Sequence, residues 1–378
     1  SAWIDGEPVS QNRAMEATKV GIIGAGNISG IYLENLSKYD ATDLFAVADL
    51  DASRAQAKAD EYKVPHVLTV DEMLAHPEIE IVVDLTIPAA HFDVAKLALN
   101  AGKHVYNEKP LAIGLYEGRE LVELAASKGV RLGCAPDTVL GAGIQTCREL
   151  IDSGEIGELV GFNAFMMSSG VEAWHPNPTF YYQVGGGPLF DMGPYYVSAL
   201  VQLFGPVSRV SGITRTSFPT RTVSSQPLAG TVLTVDTPTH IVSTLEFVKG
   251  PIGQLTTSFD TMAGTDLKHI EVYGSKATLR VPDPNFFGGP ISLKRVGSDT
   301  WEEIEITRPY AENARGLGVL DMALAIRSNR PHRANGELAY HVLDVMHSAH
   351  TSSDEGRHIT LDSGVAQPAL MPAAELKD

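Results

Sequence analysis

Three shortages in the sequence exclude several classes of protein before any motif is considered. The 378 residues include two cysteines, Cys134 and Cys147, whose spacing fits no metal-binding motif. We favour two free thiols in a reducing compartment, with one disulfide as the alternative. No run approaches the roughly 18 apolar residues that a membrane-spanning helix needs. Basic residues are few, 29 against 46 acidic ones, and the net charge of −17 repels phosphate backbones and anionic lipids. We therefore expect no metal site, no nucleic-acid partner and no membrane partner.

The length of the chain and its first residues suggest how it is organised. A chain of 378 residues is too long for one ordinary hydrophobic core, so two domains are expected. We predict an N-terminal extension over 1–18, a first domain over 19–138 and a second over 139–378, with the last helices packing back on both domains. The extension is polar and unlike a secretory signal, which together with the cysteine usage favours a cytoplasmic location.

The two predicted domains have different patterns. Residues 19–135 alternate apolar runs with helical patterns, as βαβ units of a doubly wound parallel sheet do. After about residue 160, short strands joined by turns dominate, with helices predicted over 192–203, 317–328 and 337–355. The prediction is an α/β Rossmann domain followed by an α+β domain with a large, mostly antiparallel open sheet.

A glycine-rich turn follows the first predicted strand and opens a helix. Gly24 permits a tight turn, and Gly26 permits the close approach of a pyrophosphate. The helix N-terminus at Asn27 and Ile28 then offers free N–H groups and the positive end of the helix dipole. The turn therefore predicts a dinucleotide site.

An acidic residue at the end of the next strand strengthens this prediction. Asp49 follows Gly26 by roughly 20 positions, where a carboxylate binds the adenosine ribose and repels a 2′-phosphate. NAD is therefore favoured, while the nearby cation of Arg54 leaves NADP open. The alternative is that Asp49 or Asp51 merely caps the following helix, and we assign the cap to Asp51 and cofactor binding to Asp49.

Glu108-Lys109-Pro110 ends a short apolar strand predicted over 104–106. Pro110 stops the strand from pairing onward, so the lysine is delivered to the rim of the sheet. Burial, or the positive charge of an oxidised nicotinamide, would lower the pKa of Lys109 and make it usable for proton transfer.

Taken together, the motifs resemble the Gfo/Idh/MocA family of oxidoreductases over residues 19 to about 361. The resemblance is carried by residues 24–28, Asp49, Thr86-Ile87-Pro88 with His91, 102–111, 185–195 and 273–277. It implies a lysine between nicotinamide and substrate, at Lys109, and an open sheet that forms a homodimer or homotetramer interface. The cofactor contacts that it implies are Gly24, Gly26, Asn27, Ile28, Asp49, Arg54, Thr86, Pro88, His91, Glu108 and Lys109.

One position departs from the pattern of many members. They carry Asp-x-x-x-His on a helix of the second domain, whereas this chain has Asp191 and, four residues later, Tyr195, as glucose-fructose oxidoreductase does. Residues four apart share a helix face, so both side chains can enter one pocket. Asp191 is alternatively an N-cap of the predicted helix, and Tyr196 is expected to face away.

Three further residues are candidates for contacting the substrate. Trp174 can stack on a sugar face and His175 can hydrogen-bond hydroxyls, although a surface loop packed by its own tryptophan is an equal alternative. Asp137 follows a predicted strand, at a place where the family carries a substrate-facing polar residue.

The function that these residues imply is NAD(P)-dependent oxidation or reduction of a secondary alcohol on a sugar, glycoside or polyol. Lys109 is the expected acid or base, with Asp191 and Tyr195 orienting the substrate and relaying the proton. Three alternatives stay open: glycoside cleavage through transient oxidation by NAD, an oxidoreductase that recycles its own cofactor, and a non-catalytic NAD-sensing regulator. The sequence does not identify the alcohol, the reaction direction or the oligomeric state.

Overall fold

A computed structural model of the chain describes residues 15–378, so most of the expected N-terminal extension lies outside the described residues. Its first sheet is six-stranded, wholly parallel and ordered β3-β2-β1-β4-β5-β6. The strands and helices are β1 (Thr18–Ile23), α1 (Ser29–Leu36), β2 (Thr42–Ala48), α2 (Ala52–Tyr62), β3 (His66–Val67), α3 (Val70–Ala75), β4 (Ile81–Asp84), α4 (His91–Asn100), β5 (His104–Asn107), α5 (Leu115–Lys128) and β6 (Leu132–Cys134). This order confirms the predicted doubly wound fold.

The central strands β1 and β4 explain why the apolar runs are continuous. Every residue of β4 is buried, and Val20, Ile22 and Val82 have no accessible surface. Helices cover both faces of a parallel sheet, so neither face of these strands meets water. The chain order reverses between β1 and β4, and the carboxyl ends of strands at such a point form a binding crevice.

The second sheet has nine strands in the order β16-β15-β14-β13-β7-β12-β11-β8-β17. Only the β7–β12 pair is parallel, which confirms a mostly antiparallel sheet. Its elements, with the two-stranded ribbon β9–β10, are α6 (Ala142–Asp152), β7 (Leu159–Met167), α7 (Gly187–Phe204), β8 (Val207–Arg215), β9 (Thr220–Thr222), β10 (Val232–Thr234), β11 (His240–Phe247), β12 (Ile252–Ser258), β13 (His269–Gly274), β14 (Ala277–Val281), β15 (Ser292–Arg295), β16 (Glu302–Glu303), α8 (Leu317–Ser328), α9 (Gly336–Glu355) and β17 (Ile359–Thr360). Helices α7 and α9 pack on one face of this sheet.

Four of these elements were not predicted from the sequence, α6, β8, β9 and β17. In β8 the buried residues Val207 and Val210 are three apart rather than two. The pairing with β11 shifts register between Glu246 and Phe247, and this bulge turns both valines towards the core. The period of two that identifies a strand is therefore lost at this point.

Helix α7 begins at Gly187, five residues before the predicted start, with Pro188 in its first turn. Its early start decides the position of Asp191, which is described below. Cys134 and Cys147 are both buried and free. Within residues 15–378, no helix is both long enough and apolar enough to cross a membrane.

Candidate active site

The glycine turn at the end of β1 has the backbone that a dinucleotide site requires. Gly24 has φ of +108°, and a Cβ there would lie 2.6 Å from the carbonyl oxygen of Leu85. Ile28, the residue before α1, makes no side-chain capping hydrogen bond. The Ser29 N–H donates to the Gly26 carbonyl at 3.1 Å, and the next N–H groups of α1, those of Gly30 and Ile31, remain available to an anion.

Asp49 joins the end of β2 to this turn. Its Oδ2 accepts a hydrogen bond from the Ala25 N–H at 2.7 Å, and its Oδ1 accepts one from the Asp51 N–H at 2.8 Å. Each carboxylate oxygen has a second lone pair, so ribose hydroxyls can still be bound. Asp51 instead caps α2 by accepting from the Ser53 N–H at 3.0 Å, which confirms the role predicted for it.

Arg54 lies over the glycine turn. Its Nη2 is 3.4 Å from the position that a Cβ on Gly26 would occupy. A cation there, near helix N–H groups and the Asp49 carboxylate, gives this edge of the sheet the donors that a dinucleotide needs. The residues present therefore fit NAD.

His91 does not have the direct cofactor contact that was predicted. Its ring is 1% exposed, with Nδ1 2.6 Å from the carbonyl oxygen of Pro110 and Nε2 2.8 Å from that of Thr86. Both ring nitrogens are thus used within the protein. His91 ties the Thr86 loop to the loop that follows Lys109.

The Lys109 side chain meets the second domain at α7. Its Nζ donates to the backbone carbonyl of Asp191 at 2.5 Å and lies 3.2 Å from Asp191 Oδ1. The same nitrogen is 5.1 Å from the centre of the Tyr195 ring. The three predicted catalytic residues therefore lie together, although they come from opposite sides of the domain boundary.

The protonation of Lys109 differs from the sequence-based expectation. Burial does lower the pKa of the ammonium, but the neighbouring Asp191, Tyr195 and Glu108 together outweigh burial and raise the pKa above its usual range. The expected net lowering of the Lys109 pKa by burial is therefore wrong for this arrangement. Lys109 is an ammonium that donates to Asp191.

Asp191 and Tyr195 are one turn apart inside α7. Since this helix begins at Gly187, Asp191 is not its N-cap, and the capping alternative is excluded. The hydroxyl of Tyr196 instead donates to the Phe165 carbonyl at 3.2 Å, on the side of the sheet. Tyr196 therefore faces away, as predicted.

The Glu108 side chain holds the backbone of Lys109 in place. Its carboxylate accepts from the Tyr32 hydroxyl at 2.9 Å and from the backbone N–H of Lys109 at 2.7 Å. Tyr32 belongs to α1, so this contact links the helix that starts at the glycine turn to the base of the lysine.

The predicted role of Asp137 as a substrate contact is wrong. The residue is 1% exposed, and its Oδ2 accepts from the backbone N–H groups of Gly316 and Gly318, each at 2.9 Å. These N–H groups start α8 and have no partner within that helix. Asp137 therefore holds α8 against the end of β6 and does not face the pocket.

The loop before α7 contains the other two predicted substrate contacts. The Trp174 side chain is 67% exposed, and its ring centre is 5.5 Å from that of His175. His175 Nε2 in turn lies 3.4 Å from the hydroxyl oxygen of Tyr181. His175 thus reaches the site through an aromatic neighbour.

Sequence reasoning missed two residues near Lys109. Burial raises the pKa of the Tyr181 phenol, and the charge of Asp191 adds to the rise, so Tyr181 lies within electrostatic range of Asp191. Burial lowers the pKa of the Arg315 guanidinium, but Tyr195, Asp137 and Glu108 together outweigh burial and raise it, so Arg315 lies within electrostatic range of Tyr195. The Phe-Tyr-Tyr run at 180–182 could have indicated Tyr181, whereas no sequence motif indicates Arg315.

Comparison with known families gives matches for two parts of the chain. The NAD-binding Rossmann fold of the Gfo/Idh/MocA oxidoreductases matches residues 18–135, and the GFO/IDH/MocA C-terminal domain matches residues 144–280. This chain belongs to the Gfo/Idh/MocA family of oxidoreductases, and its N-terminal domain is an NAD-binding domain.

The individual relatives share about a quarter to a third of their residues with this chain over the matched regions. Trans-1,2-dihydrobenzene-1,2-diol dehydrogenase from Mus musculus is 33% identical over 193 residues, 50% of this chain and 57% of that protein. Myo-inositol 2-dehydrogenase from Thermotoga maritima is 26% identical over 267 residues, 69% of this chain and 74% of that protein. Two uncharacterised oxidoreductases of Schizosaccharomyces pombe match over 53% of their length, so the chain spans about half of several curated relatives.

A solved structure of levoglucosan dehydrogenase in complex with NADH and L-sorbose has the same fold. It superposes with a TM-score of 0.78 at 17% identity and covers 92% of this chain and 99% of that one. At this identity the similarity establishes the fold alone.

Proposed function

We propose that this protein is an NAD(P)-dependent dehydrogenase that oxidises or reduces a secondary alcohol of a sugar, glycoside or polyol. The observation that carries the proposal is the Lys109 amine, 3.2 Å from Asp191 Oδ1, at the sheet edge that also carries the glycine turn. The names of the relatives, which include inositol and dihydrodiol dehydrogenases, support the substrate class.

The protein residues supply orientation and a proton path. When bound, NAD accepts or donates the hydride, and that chemistry belongs to the cofactor. In the reductive direction, the Lys109 ammonium donates a proton to the carbonyl oxygen of the substrate. In the oxidative direction, neutral Lys109 accepts the hydroxyl proton, and Tyr195, stacked beneath the amine, hydrogen-bonds the reacting oxygen.

Asp191 has two effects on Lys109. Its carboxylate and carbonyl fix the amine in place, and its charge favours the ammonium form. An oxidised nicotinamide beside the amine would oppose that charge and favour proton release. Glu108 accepts hydrogen bonds from the Tyr32 hydroxyl and from the backbone N–H of Lys109, and so fixes the backbone of Lys109 relative to α1.

The open face of the nine-stranded sheet is the proposed oligomer interface, in a homodimer or homotetramer. Ile213 on β8 pairs directly with Val242 on β11, and they are 75% and 39% exposed, so this face presents adjacent apolar side chains. Sedimentation velocity on the wild type and on Ile213→Glu tests the assignment. A monomeric wild type contradicts it.

The function is tested by an absorbance screen at the NADH band. Pyranoses, inositols and glycosides are offered with NAD⁺ and NADP⁺ in parallel, and Lys109→Ala serves as the blank. We expect reduction of the cofactor by at least one alcohol and a preference for NAD⁺, because Asp49 repels a 2′-phosphate. No reduction by any alcohol, with the cofactor demonstrably bound, would contradict the proposal.

A further inference from the structure

Tyr181 lies within electrostatic range of Asp191 and Lys109 but has no part in the proposed proton path. It lies on a 3-10 turn, Thr179–Tyr182, directly before the glycines that open α7. A Cβ on Gly186 would lie 2.3 Å from the Phe180 carbonyl oxygen and 2.9 Å from the Tyr181 Cα, so this turn packs closely against the start of α7. Tyr181 is therefore held in a fixed relation to Asp191.

The hydrogen bonds of His175 determine the direction of the Tyr181 hydroxyl. His175 Nδ1 accepts from the Asn177 N–H at 2.9 Å and so carries no hydrogen. The hydrogen of the neutral ring is then on Nε2, which lies 3.4 Å from the Tyr181 oxygen, with ring centres 4.9 Å apart. Because Tyr181 accepts from His175, its own O–H is free to donate to another group.

The loop that carries His175 is anchored by a buried ion cluster. Arg221, whose side chain is 3% exposed, bridges Glu172 and Asp260. Ser225 donates its hydroxyl to the carbonyl oxygen of His175. The hydroxyl of Tyr182, next to Tyr181, donates to Glu172. Both partners of the Tyr181–His175 pair thus extend from the same rigid support.

We propose that Tyr181 contacts the substrate through its hydroxyl and that His175 is a positioning residue that sets the direction of this hydroxyl. The proposal rests on the proposed dehydrogenase function and deepens it. A donor at Tyr181, in addition to the groups at the reacting oxygen, recognises a second oxygen near the oxidised carbon. The site then selects vicinal diols, as found in sugars and cyclic polyols, over isolated secondary alcohols.

The test compares a vicinal diol that the wild type oxidises with its analogue lacking the neighbouring hydroxyl. We expect Tyr181→Phe to raise KM for the diol about tenfold, to change kcat little and to leave KM for the analogue unchanged. His175→Phe should act in the same direction, and His175→Gln, which restores an N–H donor, should recover part of the loss. Tyr116→Phe is the matched control, because Tyr116 is 84% exposed on α5.

The outcomes separate this inference from the function on which it rests. A wild type that oxidises no alcohol ends both proposals, whereas an active wild type with Tyr181→Phe indistinguishable from Tyr116→Phe overturns the Tyr181 assignment alone. A second measurement does not depend on any variant folding. Imidazole ¹⁵N resonances of the wild type with NADH should show the Nε2–H tautomer for His175, and the Nδ1–H tautomer would overturn the positioning role.

Discussion

The Lys109 amine and the Asp191 carboxylate, 3.2 Å apart, form an ion pair that links the first domain to α7 of the second. Both side chains are mostly buried, at 18% and 19% exposure, so the pair is weakly screened by solvent. The same contact positions the lysine and controls its charge. This double role makes the pH dependence of the reaction informative.

Replacing Asp191 with Asn should move the pH dependence of alcohol oxidation to lower pH. Oxidation needs the neutral amine, and the Asp191 charge raises the pKa of Lys109, so its removal makes the base form available at lower pH. We expect the rising limb of kcat/KM against pH to shift down by about one unit or more, with a lower plateau because the amine loses its anchor. Asp93→Asn, in the first turn of α4, is the control, and an unmoved limb in Asp191→Asn would show that the pair does not set the charge of Lys109.

Asp49 should determine the choice of cofactor. Asp49→Ser removes the carboxylate that we expect to bind the ribose hydroxyls, and charge-assisted hydrogen bonds of this kind contribute about 1.5–3 kcal/mol. We expect NADH affinity, measured by fluorescence titration, to fall roughly 10- to 100-fold, while NADPH affinity holds or improves. Asp51→Ser retains a capping side chain on α2 and is the control. Equal losses for both cofactors would contradict the role of Asp49 in discrimination.

Asp137 should lower the stability of the protein as pH rises. Burial raises its pKa to about 6, despite the N–H donors of Gly318 and Gly316, against about 3.9 in an unfolded chain. The stabilisation from the neutral carboxyl is complete below pH 4 and lost as pH rises through 6, which amounts to roughly 3 kcal/mol.

Asp137→Asn keeps an acceptor for both N–H groups and cannot ionise. Its stability relative to the wild type, measured as the free energy of unfolding in urea titrations followed by circular dichroism, should therefore increase as pH rises from 4 to 7. A difference between the two proteins that stays constant with pH would show that Asp137 does not titrate in this window.

The sequence predicted the elements that depend on local pattern, and it failed where tertiary contacts decide. The glycine turn, Asp49 and the lysine at the end of β5 could be located because each follows a buried strand at a fixed offset. Strand β8 could not be located from the sequence, because its bulge breaks the alternation of buried residues. The role of Asp137 at the start of α8 could not be predicted either, because its hydrogen-bond partners are about 180 positions further along the chain.

The charge of Lys109 shows the same limit. From the sequence, only burial and a cofactor were visible as influences on its pKa, and both lower it. The carboxylate that reverses the direction comes from α7, 82 positions away, and its contact depends on how the two domains meet. Arg315 was missed for a similar reason, since no local pattern distinguishes it from other loop arginines.

The central claim is that the Lys109 amine transfers the proton of the reacting alcohol, and chemical rescue tests it most directly. Turnover of Lys109→Ala is measured with increasing methylamine, beside Lys96→Ala, in which a lysine paired with Glu120 on the surface is lost. We expect kcat of Lys109→Ala to fall by about 10²- to 10⁴-fold and to recover in proportion to the added amine, with NADH affinity retained. An unchanged kcat in Lys109→Ala would contradict the account.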